Sequence, residues 1–412
     1  MKRLVYLLLI IAVVVLVIVL GYLFRYRPGE APEPRKEGGT QGGGGLPNGE
    51  FTIQTSTGPL GPEGEGAVGP LYSPGSRFGV ISNTPVLNYY IDRNGAVTIV
   101  APDGKIVRVA RGEETTLNEP LGSAVVAASF SWNGEKILIN TRGGEKPGFR
   151  VFDTKTKTLT LLDSKISSAS WSPNDNNIAY IIKRNDVGAI EIINLDAGDG
   201  AKPKQIITLR IEDVELLWAD TSKLLLTSKP SAYAEGGVWA VDLNKKTITR
   251  LTAGFGLTVL WNRHFDRGLM FTSNPSGRGG KLVLIDGKGA PLKEVRLPTL
   301  PEKCVFDRVS VSESKGAATS SLANLVEFLY CAIPKDDFIL RSSLLPDSYE
   351  MGAFFTADSL FRTDISDPNG ATEVIDETLP DLDAIRLTAD GNRLFFINKY
   401  DRKLYAYEIP SE

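Results

Sequence analysis

The chain holds one histidine, His264, and two cysteines, Cys304 and Cys331, with no C-x-x-C. That scarcity removes whole classes of chemistry. A histidine-rich metal site is out of reach of one chain. Zinc sites built from four cysteines, or from two cysteines and two histidines, fail by count. Any Ser-His-Asp triad would have to run through His264, and no serine stands in a G-x-S-x-G elbow. There is no basic run or stripe, and the formal net charge is −3. A nucleic-acid partner is therefore not expected. Nothing in the sequence asks for a cofactor or a metal. The loop Asp364–Asp376 departs from a calcium loop because Ile365 stands where the leading carboxylate is needed.

What the chain does have begins with an uncharged run, Leu4 to Phe24, rich in Leu, Val and Ile. About 20 such residues span the ~30 Å apolar core of a bilayer as a helix. Tyr6 and Tyr22 sit near its ends, where amphipathic rings favour the interface. The run lacks the short core and small-residue cleavage site of a removable signal. The expectation is an uncleaved signal-anchor: flank 1–3, transmembrane helix 4–24, with the rest of the chain outside the cytoplasm. Residues 25–50 read as a disordered linker, because Pro28 to Gly49 holds four prolines and eight glycines and no apolar period.

From about residue 78 the chain repeats itself. Four of its five tryptophans, Trp132, Trp171, Trp218 and Trp261, follow one another 39, 47 and 43 residues apart. Third strands of the unit close on an acid: Asp153, Asp196, Asp242, Asp286 and Asp364. A unit of about 40–45 residues with four strands marks propeller blades. The reading is an all-β, seven-bladed β-propeller over 51–412, with blades near 78–110, 123–163, 166–209, 213–252, 257–297, 303–376 and 382–410. The last blade runs out of chain before a fourth strand. Phe51-Thr52-Ile53-Gln54-Thr55 alternates apolar and polar residues, so 51–57 is expected to supply the closing strand.

The stretch Ser170-Trp171-Ser172-Pro173-Asn174 followed by Ile178-Ala179-Tyr180 resembles the WD40-like repeat of TolB-type propellers, over about 78–410. A narrower likeness lies in Leu300-Pro301-Glu302-Lys303-Cys304, Leu329-Tyr330-Cys331-Ala332-Ile333-Pro334 and Leu394-Phe395-Phe396-Ile397-Asn398-Lys399. These segments are similar to an uncharacterised family of bacterial membrane-anchored propellers, which implies an envelope location and no established activity. The segment Ser312–Asn324 between the cysteine strands departs from that pattern.

The repeated tryptophans read as core, and the acids as turn caps that hydrogen-bond nearby amides. Cys304 and Cys331 fall on what should be adjacent antiparallel strands, within disulfide range. Outside the cytoplasm they are expected to pair; two buried thiols is the alternative. The functional expectation is a non-enzymatic envelope scaffold, held by its helix in the membrane, whose loops bind an unknown protein or polymer. The competing reading is a hydrolase or lyase of cell-surface polymers. Desolvated acids converging at the channel mouth would favour the latter.

Overall fold

The structure, a computed structural model, describes residues 78–409 apart from 145–146, 185–186, 212, 311–324, 368–371 and 389–391. The expected membrane segment 4–24, the linker 25–50, residues 51–57 and Ser312–Asn324 lie outside the described residues. No helix among the described residues is long and apolar enough to cross a membrane.

Among the described residues, twenty-eight strands form seven four-stranded antiparallel sheets. Strand β1 (Phe78–Ser82) is followed by blade 1: β2 (Asn88–Ile91), β3 (Val97–Val100), β4 (Ile106–Ala110) and β5 (Glu113–Asn118). Blade 2 is β6 (Ala124–Phe130), β7 (Lys136–Arg142), β8 (Gly148–Asp153) and β9 (Thr158–Leu161). Blade 3 is β10 (Ile166–Trp171), β11 (Asn177–Arg184), β12 (Val187–Asn194) and β13 (Lys204–Leu209). Blade 4 is β14 (Val214–Asp220), β15 (Lys223–Ser228), β16 (Glu235–Asp242) and β17 (Thr247–Phe255). Blade 5 is β18 (Thr258–Trp261), β19 (Arg267–Ser273), β20 (Gly280–Asp286) and β21 (Pro291–Val295). Blade 6 is β22 (Cys304–Ser310), β23 (Leu325–Pro334), β24 (Asp358–Asp364) and β25 (Thr372–Leu379). Blade 7 is β26 (Leu382–Leu387), β27 (Arg393–Asn398) and β28 (Leu404–Glu408), and its fourth strand is β1.

Two expectations are corrected here. The ring is closed by Phe78–Ser82, paired Phe78↔Tyr407 and Val80↔Tyr405, so the place expected for 51–57 is taken. Blade 1 correspondingly runs over 88–118 rather than 78–110, its fourth strand being Glu113–Asn118. That strand reads EETTLN and is almost wholly exposed, so it carries no apolar alternation to betray it.

Burial falls from the second strand of a blade to the fourth. The middle of β7, β11, β15 and β27 is an unbroken buried apolar run, because neighbouring blades cover both sheet faces. The outer β9 is exposed throughout. Apolar clusters join neighbouring blades, as where Leu216 and Trp218 of blade 4 pack on Ala179 and Ile190 of blade 3. A second cluster joins blade 7 to blade 1 through Phe395, Ile397, Tyr89 and Val97. Each sheet alone would expose such a face, so the stack is stable only as a ring.

Antiparallel succession puts the blade-to-blade linkers and the loops between second and third strands on one face, here the upper face. Turns between first and second, and third and fourth, strands lie on the lower face. Blade 6 carries an upper-face strap, residues 335–357, between β23 and β24. It holds two short helices, α1 (Asp337–Ser342) and α2 (Asp347–Glu350).

Candidate functional site

The strap is fixed to the ring by a buried ion cluster at its C-terminal root. Lys303 ends the 3₁₀ turn Pro301–Lys303 that leads from blade 5 into blade 6, and it is wholly buried. Its Nζ donates to Asp358 Oδ2 at 2.6 Å, Asp381 Oδ1 at 2.5 Å, Thr356 Oγ1 at 3.2 Å and the Leu382 carbonyl at 3.2 Å. The remaining carboxylate oxygens are also used. Asp358 Oδ1 accepts from Thr356 Oγ1 at 2.8 Å, and Asp381 Oδ2 from the Thr356 amide at 2.9 Å. Burial lifts the Asp358 carboxyl above the usual carboxylate range, with Lys303 pulling against it. Every donor and acceptor here has a partner, the condition under which buried charge is tolerated.

Beside this cluster lies Lys399, in the loop between β27 and β28. Its ammonium sits 3.4 Å from the Tyr349 ring centroid, with Phe354 and Phe355 at 5.6 and 5.7 Å. Its Nζ donates to the Tyr349 carbonyl at 3.3 Å. Burial holds this lysine below the usual ammonium range. The ring quadrupoles offset part of that loss, as cation–π contacts do. Tyr349 Oη in turn donates to Asp383 Oδ1 at 3.2 Å, and Arg402 reaches Asp383 at 3.6 Å. The strap thus meets blade 7 through α2. It reaches blades 4 and 5 as well: the Ala232 amide donates to Asp347 at 2.7 Å, and Ser273 Oγ to the Leu345 carbonyl.

The outward side of this assembly sets exposed apolar side chains among charged ones such as Arg341 and Glu350. Phe338, Met351 and Tyr400 are 66%, 75% and 60% exposed, and Phe355 stacks on Tyr400 with centroids 5.3 Å apart. Beneath the strap, Glu302 is half-buried, with its Oε2 shut off from solvent and without a hydrogen-bond partner. Burial pushes its carboxyl up to about 7, and the carboxylates of Glu350 and Asp383 add to the shift.

The residues singled out by the repeat sit elsewhere. Trp171 and Trp218 are buried; their indoles donate to the Ser129 carbonyl at 3.1 Å and the Asp220 carbonyl at 2.9 Å. Trp261 is half-buried opposite Gly268. Trp132 is a correction: it is 47% exposed. Register shows why, since Phe130 faces Ile137 as Trp171 faces Ile178. Trp132 lies beyond the strand, in the lower turn.

The acids cap turns on the lower face. Asp153 accepts from the Lys155 and Thr156 amides, Asp242 from Asn244 and Lys245, Asp286 from Lys288 and Ala290, and Asp364 from Ser366 and Asp367. Asp196 does not share that place. Asn194 stands there, its Oδ1 accepting from the Asp196 amide at 2.8 Å, while the Asp196 carboxylate accepts from Asn176. Cys304 and Cys331 are direct register partners, 4.1 Å apart at Cα, and form a disulfide. His264 is exposed in the turn between β18 and β19, and no group of three metal-ligating side chains occurs among the described residues. The strap residues carry no repeat signal. The hint available to sequence was the length of the sixth blade, expected over 303–376 where the fifth, over 257–297, takes little more than half as many residues.

Strand order defines a seven-bladed propeller. No family model matches the chain, and no curated protein does. Solved structures do. TolB from Acinetobacter baumannii is 11% identical over 78% of this chain, with a TM-score of 0.37; the chain covers 61% of it, under two thirds of its length. The Cps50 (Swd1) β-propeller domain of Myceliophteria thermophila is 10% identical over 81% of this chain and all of that one, at 0.47. Hydrazine synthase of Kuenenia stuttgartiensis is 9% identical over 68% of this chain and 76% of that one, at 0.41. TolB structures thus stand among the solved structures to which the chain is similar.

Proposed function

We propose that this protein is a membrane-anchored propeller of the cell envelope that acts as a non-enzymatic scaffold, binding a protein or polymer partner on its upper face. The observation that carries this reading is the apolar rim around the strap, with Phe338, Met351, Phe355 and Tyr400 exposed together on that face. Aromatic residues and Met are enriched in interface cores. The chain enters the ring at the other end: Phe78 pairs with Tyr407 near the close of β28, on the lower side. The Cys304–Cys331 disulfide suits an oxidising compartment, and the apolar run 4–24 suits a single membrane helix. The likeness to membrane-anchored bacterial propellers points the same way.

A hydrolase or lyase is the second reading, and one observation favours it. The Glu302 and Glu350 carboxyls are both raised, each first by burial, and the Glu350 charge adds to the rise at Glu302. The Glu302 Oε2 that such chemistry would use is closed to solvent, so the scaffold reading is preferred.

Photo-crosslinking side chains placed at Met351 and Tyr400, and at Trp132 on the lower face, test the proposal in native membranes. A discrete adduct is expected from the two upper positions only. Equal adducts from both faces, or none from the upper one, would overturn it. Protease added to sealed right-side-out vesicles should degrade the propeller; full protection would refute the envelope placement.

A further inference from the structure

The outermost strand of a blade leaves one edge of its sheet without a neighbour, and most of these edges carry a charge or a proline that guards them. Glu114 stands in β5, Lys204 in β13, Arg250 in β17, Pro291 in β21 and Glu373 in β25. Strand β1 has no charge but is half-buried or buried along its length. Strand β9, Thr158-Leu159-Thr160-Leu161, has neither charge nor proline, and every residue of it is exposed. Its one strand neighbour among the described residues is β8. The register fixes which backbone groups are left over. Leu162 donates its amide to the Phe149 carbonyl at 2.9 Å, and Thr160 and Thr158 stand opposite Val151 and Asp153 in the same register. Bonded and open pairs alternate along an antiparallel ladder. Thr158, Thr160 and Leu162 therefore turn their backbone groups to β8, and Leu159 and Leu161 turn theirs to solvent.

We propose that β9 is the contact between two copies of this chain, which join antiparallel along it and continue one blade 2 sheet into the other. The sequence is self-complementary in one register. With Thr160 opposite Thr160 on the two-fold axis, Leu159 comes opposite Leu161 of the second copy, and the reverse. These are the residues whose amides and carbonyls point outward, so each such pair exchanges both N–H···O bonds. Side chains two apart share a sheet face, so the leucines of both copies meet on one side of the seam. At the ends, Lys157 comes opposite Asp163 of the second copy, on both sides of the axis. Both are exposed, and neither is in an ion pair with its own chain among the described residues. A slip of one residue each way would set Leu159 against itself and Lys157 against Leu161, losing the charge match. The contact is isologous, as in a two-fold dimer. The axis stands perpendicular to the joined sheet, so equivalent residues of the two copies lie at equal height along it, as two chains held by one membrane require.

Cys304 and Cys331 are bridged, so Thr160→Cys gives the full chain a single thiol. Residues opposed in an open pair lie about 4.5 Å apart at Cα, inside disulfide range. Mild oxidation in native membranes should link Thr160→Cys chains to their own copies. Thr158→Cys, equally exposed but about 13 Å from its counterpart in this register, should not link. Adding Leu161→Pro to Thr160→Cys removes an outward donor that only the pairing uses and that an edge strand can spare, and the link should be lost. Adding Lys157→Asp instead should weaken association about tenfold, and Asp163→Lys on top of it should restore the yield. No link from Thr160→Cys, equal links from Thr160→Cys and Thr158→Cys, or a yield indifferent to Leu161→Pro would overturn the pairing. So would attachment of Thr160→Cys to a different protein in place of its own copy. If the proline variant does not fold, the charge pair decides: a yield that Lys157→Asp leaves unchanged would overturn the pairing equally.

Discussion

Phe78 and Tyr407 are register partners, so the first described strand of the chain is the last strand of its ring. The pairing gives the blade 7 edge a covering strand and ties the two ends of the propeller together. Without it, β28 would present a row of unpaired backbone groups, and buried Tyr407 would lose its cover.

Deleting 78–82 should therefore lower the thermal midpoint by about 10 °C or more, since several kcal/mol at about 2–4 °C each are at stake. Deleting 51–57 should move it by less than about 2 °C. Calorimetry of the two deletions decides the matter, and equal effects would show that the closure lies elsewhere.

The Cys304–Cys331 bridge joins the inner two strands of the blade that bears the strap, across a separation of 27 residues. Closing such a loop contributes roughly 3–4 kcal/mol in the chain-entropy model. Both cysteines are buried, so the native protein should resist reductant and lose stability only when reduced after unfolding. Thiol labelling of denatured, unreduced protein should find no free cysteine. Urea unfolding of Cys304→Ser/Cys331→Ser should show the loss.

The ring was legible in the sequence because it is periodic. Trp171, Trp218 and Trp261 mark first strands, and Asp153, Asp242 and Asp286 mark lower turns, each for a local reason. Legibility ended where two positions of slack exist. Trp132 and Asp196 each lie two residues past the structural place, which Phe130 and Asn194 fill. An aromatic ring or a side-chain carbonyl serves there equally well, so residue type alone misaligns the repeat. The upper face was legible only in pieces: Lys303 and Lys399 each fell in a segment marked by resemblance, with no sign that they meet. Lys303, Asp358, Asp381 and Lys399 come from separate stretches, and only the ring brings them together. Their signal is tertiary.

Lys303 supplies a firm test of that tertiary site. Replacing it with Met leaves Asp358 and Asp381 buried without their cation. Breaking a buried pair from one side costs about 3–5 kcal/mol. Urea unfolding of Lys303→Met should show a loss of that order. Adding Asp358→Asn and Asp381→Asn should recover part of it, because the uncompensated charges are then gone. Recovery of nothing would mean that packing, not charge, holds the strap root.

Asp153 gives the acid limb of stability. Its carboxylate is partly buried, which opposes ionisation, but the Lys136 ammonium at 2.7 Å and the Thr156 and Lys155 amides outweigh that and hold it down at about 2. The folded value lies below the unfolded one. The stabilisation is therefore present above about pH 4 and is lost as pH falls through about 2. It amounts to no more than roughly 2 kcal/mol, reduced by the solvent screening that a turn at the lower face receives. Asp153→Asn keeps one acceptor for the turn amides but cannot follow the proton. Its stability should be lower than wild type at pH 6 and should approach it near pH 2. Unfolding curves taken between those values check this, and a gap that stays constant with pH would place the value of Asp153 in its turn bonds rather than in its charge.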